Sequence, residues 1–198
     1  PVFSWIFLGG KCRNCKEKIS ARYPIVESLN AVLWTLSAYF IGLNANAFIY
    51  DALFSALIVM TFIDIDTKEI PNGIVVFIII LSIPLFFTAK DVVWWHRLVG
   101  AVVISVPLYV IALVTGGIGG GDIKLYFALG LVLGLYPTLV SAFIAIVSAG
   151  LIGGVLLLTK KVRKGYELPL GPFIALGAVV TVFAGTPIID GIKNLFGI

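Results

Sequence analysis

The chain has 198 residues, of which 60% are hydrophobic and only 12% are charged, and its formal net charge at pH 7 is +4. In soluble globular domains fewer residues are apolar and about a quarter of all residues are charged, so an ordinary water-soluble protein is excluded. In a membrane protein the basic residues first report orientation. The positive charge is therefore interpreted as a signal of orientation in the membrane, and no nucleic-acid partner is expected.

Seven apolar segments predict an all-α, polytopic membrane protein. Crossing about 30 Å of hydrocarbon takes about 20 helical residues, and every backbone polar group must be satisfied within the chain. The segments are 26–43, 47–63, 73–89, 97–115, 123–135, 137–159 and 170–187. The fifth offers only about a dozen residues, or about 18 Å of helix, which is short for a crossing. Residues 1–25 form a cysteine-containing cytoplasmic segment, and residues 26–198 form the predicted transmembrane domain.

The lysines and arginines favour all seven crossings. Seven crossings put most of the 14 basic residues, including those in 160–164, on the side of the N-terminal segment. Only Lys90, Arg97 and Lys193 then lie on the other side. Without the short fifth crossing the two sides are almost equally basic. The positive-inside tendency therefore predicts a cytoplasmic N-terminal segment and an outer C-terminus.

Two carboxylates stand at the cytoplasmic ends of predicted helices. Asp64 follows the apolar run ALIVMTFI, and Asp122 follows a glycine run at the start of the short fifth segment. Ionisable groups at membrane depth are costly and usually face a polar cavity or a partner. Two carboxyl groups within a few ångströms share a proton. Such a pair can activate water and protonate the leaving amine in peptide hydrolysis.

The residues alone leave alternatives open. The two carboxylates could be unrelated interfacial groups, with the glycines serving close helix packing. Asp66 competes with Asp64, since two residues along a helix point about 200° apart. Glu27 forms a polar stripe with Asn30, which is either an interhelical contact or the wall of a site. Lys124 attracts a lipid phosphate, tunes the field of the carboxyl pair, or simply extends to the interface.

Four stretches, in order along the chain, resemble the prepilin peptidases, or type IV leader peptidases, which are GxGD-type intramembrane aspartyl proteases. They are GKCRNCKEKISARYPIVE (10–27), FIDIDTKEIPNGI (62–74), GGIGGGDIKL (116–125) and LPLGPFIALGA (168–178). By this resemblance the catalytic aspartates match Asp64 and Asp122. The backbone before the second aspartate is formed by Gly119, Gly120 and Gly121, which lack Cβ atoms and allow a sharp turn and close approach of a substrate.

The resemblance implies cleavage of the short basic leader from type IV prepilins or pilin-like (pseudopilin) precursors. The cut lies between a glycine and the start of the pilin's hydrophobic helix. The active site would face the cytoplasm from a bacterial-type inner or plasma membrane, among membrane lipids. Proteolysis needs no cofactor. Family members often also N-methylate the new N-terminus with S-adenosylmethionine, for which this chain has no independent dinucleotide-type glycine fingerprint.

Cys12 and Cys15 form a C-x-x-C pair in the basic N-terminal segment. A structural zinc site normally takes four ligands from two such pairs. The resemblance implies a second pair upstream, after one more span, so we expect a truncated sequence. Zinc binding and methylation would then belong to the full-length protein. The pair is half of a Zn²⁺ site, two free thiols, or a disulfide, the last disfavoured in a reducing compartment.

Three rival functions are also compatible with the sequence. A presenilin-like protease shares the GxGD pattern, but that group typically has tyrosine before the first aspartate, where this chain has Ile63. A small transporter or channel could use the carboxylates to bind protons or ions; inverted halves would support it, and no internal repeat is visible. The third is a non-enzymatic subunit of a secretion or pilus machine.

Overall fold

The computed structural model describes residues 2–89, 92–160 and 168–196, and within these ranges the chain is built from helices. The helices are α1 (Val2–Phe7), α2 (Arg22–Phe40), α3 (Ala45–Thr67), α4 (Asn72–Thr88), α5 (Trp94–Thr115), α6 (Gly120–Leu133), α7 (Leu135–Leu158) and α8 (Gly171–Phe196). The described ranges contain no strand, only an isolated bridge between Lys11 and Lys18. The predicted all-α class is confirmed.

Each of the seven predicted apolar segments corresponds to one helix, from α2 to α8. In the described ranges, 4 helices are long and apolar enough to cross a membrane, namely α3, α5, α7 and the part of α8 from Gly171 to Gly191. Helix α4 is a shorter apolar helix. The protein is therefore a polytopic membrane protein, whereas the count of seven crossings stays a prediction. Helix α8 continues beyond the predicted end at residue 187, and α1 was not predicted.

Internal packing divides the chain into two units, Pro1–Val59 and Met60–Ile198. This division does not test the predicted boundary between 1–25 and 26–198. In the first unit, polar side chains of α2 and α3 form hydrogen bonds with each other. The Ser55 hydroxyl donates to Oδ1 of Asn30 at 2.7 Å, and the Trp34 indole donates to that hydroxyl at 3.3 Å. Asn30 is therefore part of an interhelical contact, one of the two alternatives predicted for its stripe.

In the second unit, the short helix α6 lies at the centre. It packs against α4, α5, α7 and α8. Its buried residues begin at Leu125 and continue almost without interruption to Leu133. A helix that is apolar on every side is buried on every side. The surrounding helices therefore enclose α6, and its first turn reaches the predicted catalytic region.

Arg97 is one of the three basic residues that the sequence places on the outer side of the membrane. Arg97 was expected on the outer side, but it is fully buried in the first turn of α5. Burial does not test the side of the membrane on which Arg97 lies, so that placement stays a prediction; what hydropathy did not reveal is that its charge has partners inside the protein. Four other basic residues of that argument lie outside the described residues, namely Lys90, Lys161, Arg163 and Lys164.

Candidate active site

Asp64 lies in the last turn of α3 and is buried, with 4% of its surface exposed. Its Oδ2 atom accepts a hydrogen bond of 2.8 Å from the backbone N–H of Gly171. Gly171 is the first residue of α8, where the backbone N–H groups have no partner within their own helix. The carboxylate therefore satisfies the N-terminus of α8, and α8 in turn orients the carboxylate.

The contact between Asp64 and α8 requires glycine at position 171. A Cβ atom there would lie 2.6 Å from Oδ2 of Asp64 and 2.8 Å from the sulfur of Met60. Neither group is at the far end of an exposed side chain, because Met60 and Asp64 are both buried. The glycine in LPLGPF therefore allows the carboxylate to reach the helix backbone.

Asp122 lies in the first turn of α6. A carboxylate is favoured there by the partial positive charge of a helix N-terminus. Its backbone N–H donates to the carbonyl oxygen of Gly119 at 3.1 Å. A Cβ atom at Gly119 would lie 3.1 Å from Oδ2 of Asp122. The carboxyl group thus folds back over the glycine that precedes the helix.

Both carboxylates line one cavity of about 520 Å³. The glycine-containing connection 116–119 and the segment 168–170 form further parts of its wall, and Lys68 lines it as well. The sequence predicted Asp64 and Asp122 as a pair on one side of the membrane, and the structure places both in the wall of the same cavity. The cavity offers two acid–base groups, a nearby cation and exposed backbone to an incoming peptide.

The two lysines near the motifs occupy different places. Lys68 lies directly after the end of α3, its backbone N–H donates to the carbonyl oxygen of Asp64 at 2.8 Å, and it lines the cavity. Lys124, the predicted supporting residue, is exposed and its Nζ donates to Oδ1 of Asn72 at 3.1 Å. Sequence reasoning missed Lys68 as a site residue. The available signal was its position directly after the helix that carries Asp64, although Lys68 itself lies outside that helix with φ 56°.

The three glycines before Asp122 are not equivalent. Gly119 lines the cavity. A Cβ atom at Gly121 would lie 2.9 Å from Cβ of Ile70, so α6 begins in close contact with the connection after α3. A Cβ atom at Gly120 would meet nothing within 4 Å. The first and third glycines are therefore constrained by contacts, and the second is not.

Glu27, the other predicted supporting residue, lies in α2 in the first unit. Its Oε2 atom is buried and has no hydrogen-bond partner among the described residues. It borders a small cavity together with Trp5, Tyr23 and Lys11. Glu27 is therefore surrounded at this cavity by residues of the N-terminal segment.

Cys12 and Cys15 lie in a tight hairpin between α1 and α2. The Cys12 N–H donates to Glu17 at 2.8 Å, and the Lys16 N–H donates to Cys12 at 3.1 Å, carbonyl oxygens accepting in both cases. Both cysteines are free thiols. The backbone N–H of Cys15, followed by that of Asn14, lowers the pKa of the Cys12 thiol below its ordinary value. The hairpin thus favours a thiolate, the form that binds metal.

The hairpin supplies two ligands of the kind that zinc prefers, which is half of a four-coordinate site. Within the described part of the chain, no group of three or more His, Cys, Asp or Glu residues is placed to hold a metal ion. The residues present therefore fit one half of the predicted zinc site.

Several membrane-type helices and two aspartates at one cavity are the arrangement expected of an intramembrane aspartyl peptidase. Comparison with known families agrees. The model of the type IV leader peptidase family matches residues 52–154, and that of the "Bacterial Peptidase A24 N-terminal domain" matches residues 1–41. The chain belongs to the type IV leader peptidase family.

Curated relatives carry the name prepilin leader peptidase/N-methyltransferase. The relative from Bacillus subtilis is 34% identical over 192 residues, which cover 96% of this chain and 77% of that protein. The relative from Stutzerimonas stutzeri is 32% identical over 195 residues, covering 95% and 67%. The relative from Burkholderia pseudomallei is 33% identical over 200 residues, covering 94% and 62%. No solved structure matches the chain.

Proposed function

We propose that this chain cleaves the leader peptide of type IV prepilins or pilin-like precursors, with Asp64 and Asp122 as the catalytic pair. The observation that carries the proposal is the shared cavity of the two carboxylates. Family membership supplies the reaction class, and the names of the relatives supply the substrate class. The transporter and scaffold alternatives are not favoured by these relatives.

In the proposed mechanism, one carboxylate removes a proton from water while the other, protonated, donates a hydrogen bond to the scissile carbonyl oxygen. The hydroxide forms a bond to the carbonyl carbon. The tetrahedral intermediate then breaks its C–N bond, and the leaving amine takes a proton from the carboxyl pair. The products are a leader peptide with a new carboxylate and a pilin with a free N-terminus. Both carboxyls return to their starting protonation states.

The other lining groups have roles that follow from their chemistry. Lys68 places a positive charge beside a reaction that develops negative charge on the carbonyl oxygen, and such a charge stabilises the transition state. The backbone of 116–119 and 168–170 offers N–H and C=O groups to an extended peptide. The N–H of Gly171 is already used by Asp64, so it holds the catalytic group rather than the substrate.

The proposed orientation places the cavity at the cytoplasmic face, as the asymmetry of basic residues in the sequence favours. Cys12 and Cys15 provide a direct test, because they lie in the N-terminal segment and no other cysteine occurs in the chain. A membrane-impermeant maleimide should label them in inverted membrane vesicles and leave them unlabelled in intact cells. The reverse pattern would contradict the orientation.

The zinc and methylation expectations stay proposals for the cysteine segment and the full-length protein. Cys12 and Cys15 would hold Zn²⁺ as two of its ligands, and the metal would supply structural cross-linking of the hairpin. The relatives' names include an N-methyltransferase, for which S-adenosylmethionine would be the methyl donor. Mass spectrometry of the processed pilin tests this activity, since a methyl group in place of a hydrogen at the new N-terminus raises the mass by that of one CH₂ unit.

The cleavage proposal is tested with the purified chain and a pilin precursor, followed by mass spectrometry of both products. Asp64→Asn and Asp122→Asn should each abolish cleavage while the protein remains inserted and monodisperse. Asp66→Asn is the matched control, because Asp66 is exposed two residues from Asp64 on the same helix and should lose much less activity. Cleavage by the double Asp64→Asn, Asp122→Asn variant would overturn the assignment.

A further inference from the structure

Arg97 connects the start of α5 with the end of α6. The side chain is fully buried, and its Nη1 atom donates hydrogen bonds to the carbonyl oxygens of Leu131, at 3.2 Å, and Val132, at 2.5 Å. Both carbonyls belong to the last turn of α6, which ends at Leu133. The guanidinium carbon lies 5.8 Å from the ring centre of Phe86. The positive charge of Arg97 therefore interacts with the C-terminal end of α6 inside the protein.

The end of α6 needs such a partner because the helix is short. Its 14 residues span about 21 Å, less than the ~30 Å of a hydrocarbon core. The last carbonyls of a helix have no partner within the helix, and an unsatisfied carbonyl away from water is costly. The C-terminus also carries partial negative charge, which a cation stabilises. Arg97 meets both requirements.

A close helix crossing fixes the same end of α6. A Cβ atom at Gly130 would collide with the carbonyl oxygen of Gly100, and one at Gly100 would lie 2.7 Å from the carbonyl carbon of Gly134. Gly100 lies one turn after Arg97 in α5. The guanidinium and the crossing therefore hold α6 at its C-terminus, while Asp122 occupies the first turn at the opposite end.

We propose that Arg97 is a positioning residue for the peptidase reaction. By capping the C-terminus of α6, it sets the axial position of this helix, and with it the position of Asp122 relative to Asp64. A helix behaves as a rigid rod over this length, so a shift at one end moves the other. A displacement of about 1 Å in a catalytic group can reduce the rate about 100-fold. The inference rests on the proposed catalytic role of Asp122.

The test compares Arg97→Met, Arg97→Gln and Arg97→Lys in the full chain, purified and shown to be monodisperse, with a pilin precursor as substrate. Arg97→Met removes the hydrogen-bond donor that caps α6, Arg97→Gln keeps a neutral donor, and Arg97→Lys keeps a charged donor. We expect kcat to fall about 10- to 100-fold in Arg97→Met, least in Arg97→Lys, and KM to change less than about threefold. Ser105→Ala is the control, because the Ser105 hydroxyl is buried in α5 but bonds within that helix, to the Ala101 carbonyl.

The pH profile of kcat separates positioning from general damage. Partial unfolding lowers the whole profile without changing its shape. A larger separation of the two carboxyls weakens their coupling, so the pH range of activity should narrow in Arg97→Met and recover in Arg97→Lys. Wild-type kcat and an unchanged profile in folded Arg97→Met would overturn the proposal, as would a lower profile of unchanged shape.

Two further outcomes are also decisive. If Arg97→Met does not fold, Arg97→Gln and Arg97→Lys are compared: a lower kcat and a narrower profile in Gln support the proposal, and equal wild-type values overturn it. Failure of the proposed peptidase function would give a different result. In that case the wild-type chain does not cleave the precursor, or Asp122→Asn cleaves it normally, whatever the behaviour of the Arg97 variants.

Discussion

The backbone N–H of Gly171 and Oδ2 of Asp64 form a hydrogen bond of 2.8 Å between residues separated by 107 positions in the sequence. This bond joins the last turn of α3 to the first residue of α8. One oxygen of the carboxyl group is thereby fixed on a helix terminus, and the group faces the cavity that it shares with Asp122. Rigid support of this kind holds a catalytic group in a productive geometry.

Gly171→Ala should impair cleavage strongly. The added Cβ atom would lie 2.6 Å from Oδ2 of Asp64, so the carboxylate must move or lose its hydrogen bond. We expect kcat to fall about 100-fold, the loss associated with small displacements of catalytic groups. Gly191→Ala is the matched control in the same helix, since a Cβ atom there meets nothing within 4 Å. Equal activity of the two variants would show that the contact with Asp64 has no catalytic importance.

The glycine run before Asp122 provides a second matched pair. Gly121→Ala should reduce both activity and thermal stability, because its Cβ atom would lie 2.9 Å from Cβ of Ile70. Gly120→Ala should be active and equally or slightly more stable, since its position is open and alanine favours helix by up to about 1 kcal/mol. Kinetic assays and thermal unfolding of both proteins check the prediction. A more severe loss in Gly120→Ala would contradict it.

The helices were predictable because apolar runs of sufficient length must be helical in a membrane. Topology also placed Asp64 and Asp122 at helix ends on one side, and the family resemblance selected Asp64 rather than Asp66 as the partner of Asp122. The role of Gly171 did not follow. Its motif was noted only through a family resemblance, and the hydrogen bond depends on a contact between distant helices that no local pattern encodes.

Arg97 and Lys68 were missed for different reasons. Hydropathy placed Arg97 at the outer start of the predicted span 97–115, and only the position of the end of α6 reveals its partners, the carbonyls of Leu131 and Val132. Lys68 was visible four residues after Asp64 but was treated as one of many cytoplasmic charges. Its place in the cavity depends on the connections before α6 and α8, which form the same wall only in the folded protein.

Lys68→Met should lower kcat about tenfold, because the cavity loses a cation beside the developing oxyanion. Lys124→Met should have a smaller effect on kcat, since Lys124 hydrogen-bonds to Asn72 and is not part of the cavity wall. Steady-state kinetics with the same precursor measures both. A larger loss of kcat in Lys124→Met would transfer the electrostatic role to that residue.

Cys12 should react faster than Cys15 with iodoacetamide near neutral pH. The lowered pKa of Cys12 increases its thiolate fraction below the ordinary titration range of thiols, and the thiolate is the reactive form. The advantage of Cys12 should shrink as the pH rises, because its own thiolate fraction then approaches its maximum. Exposure alone favours the opposite order, because Cys15 is the more exposed of the two.

The alkylation experiment uses metal-free protein and peptide mass spectrometry at several times. Denatured protein is the control, in which the hairpin is lost and the two rates should converge. Preincubation with Zn²⁺ should slow alkylation of both cysteines if they bind the metal together. Faster reaction of Cys15 in the folded protein would contradict the described environment of Cys12.

The most direct test of the catalytic pair is single-turnover cleavage of a pilin precursor by Asp64→Asn, Asp122→Asn and the protein carrying both changes. Groups that act as one unit are not additive, so removal of either should cost as much as removal of both. We predict that all three proteins, folded and inserted, cleave at the same background rate, while Asp66→Asn remains close to wild type. Substantial cleavage by either single variant, with a further loss in the double variant, would show that the two aspartates act independently.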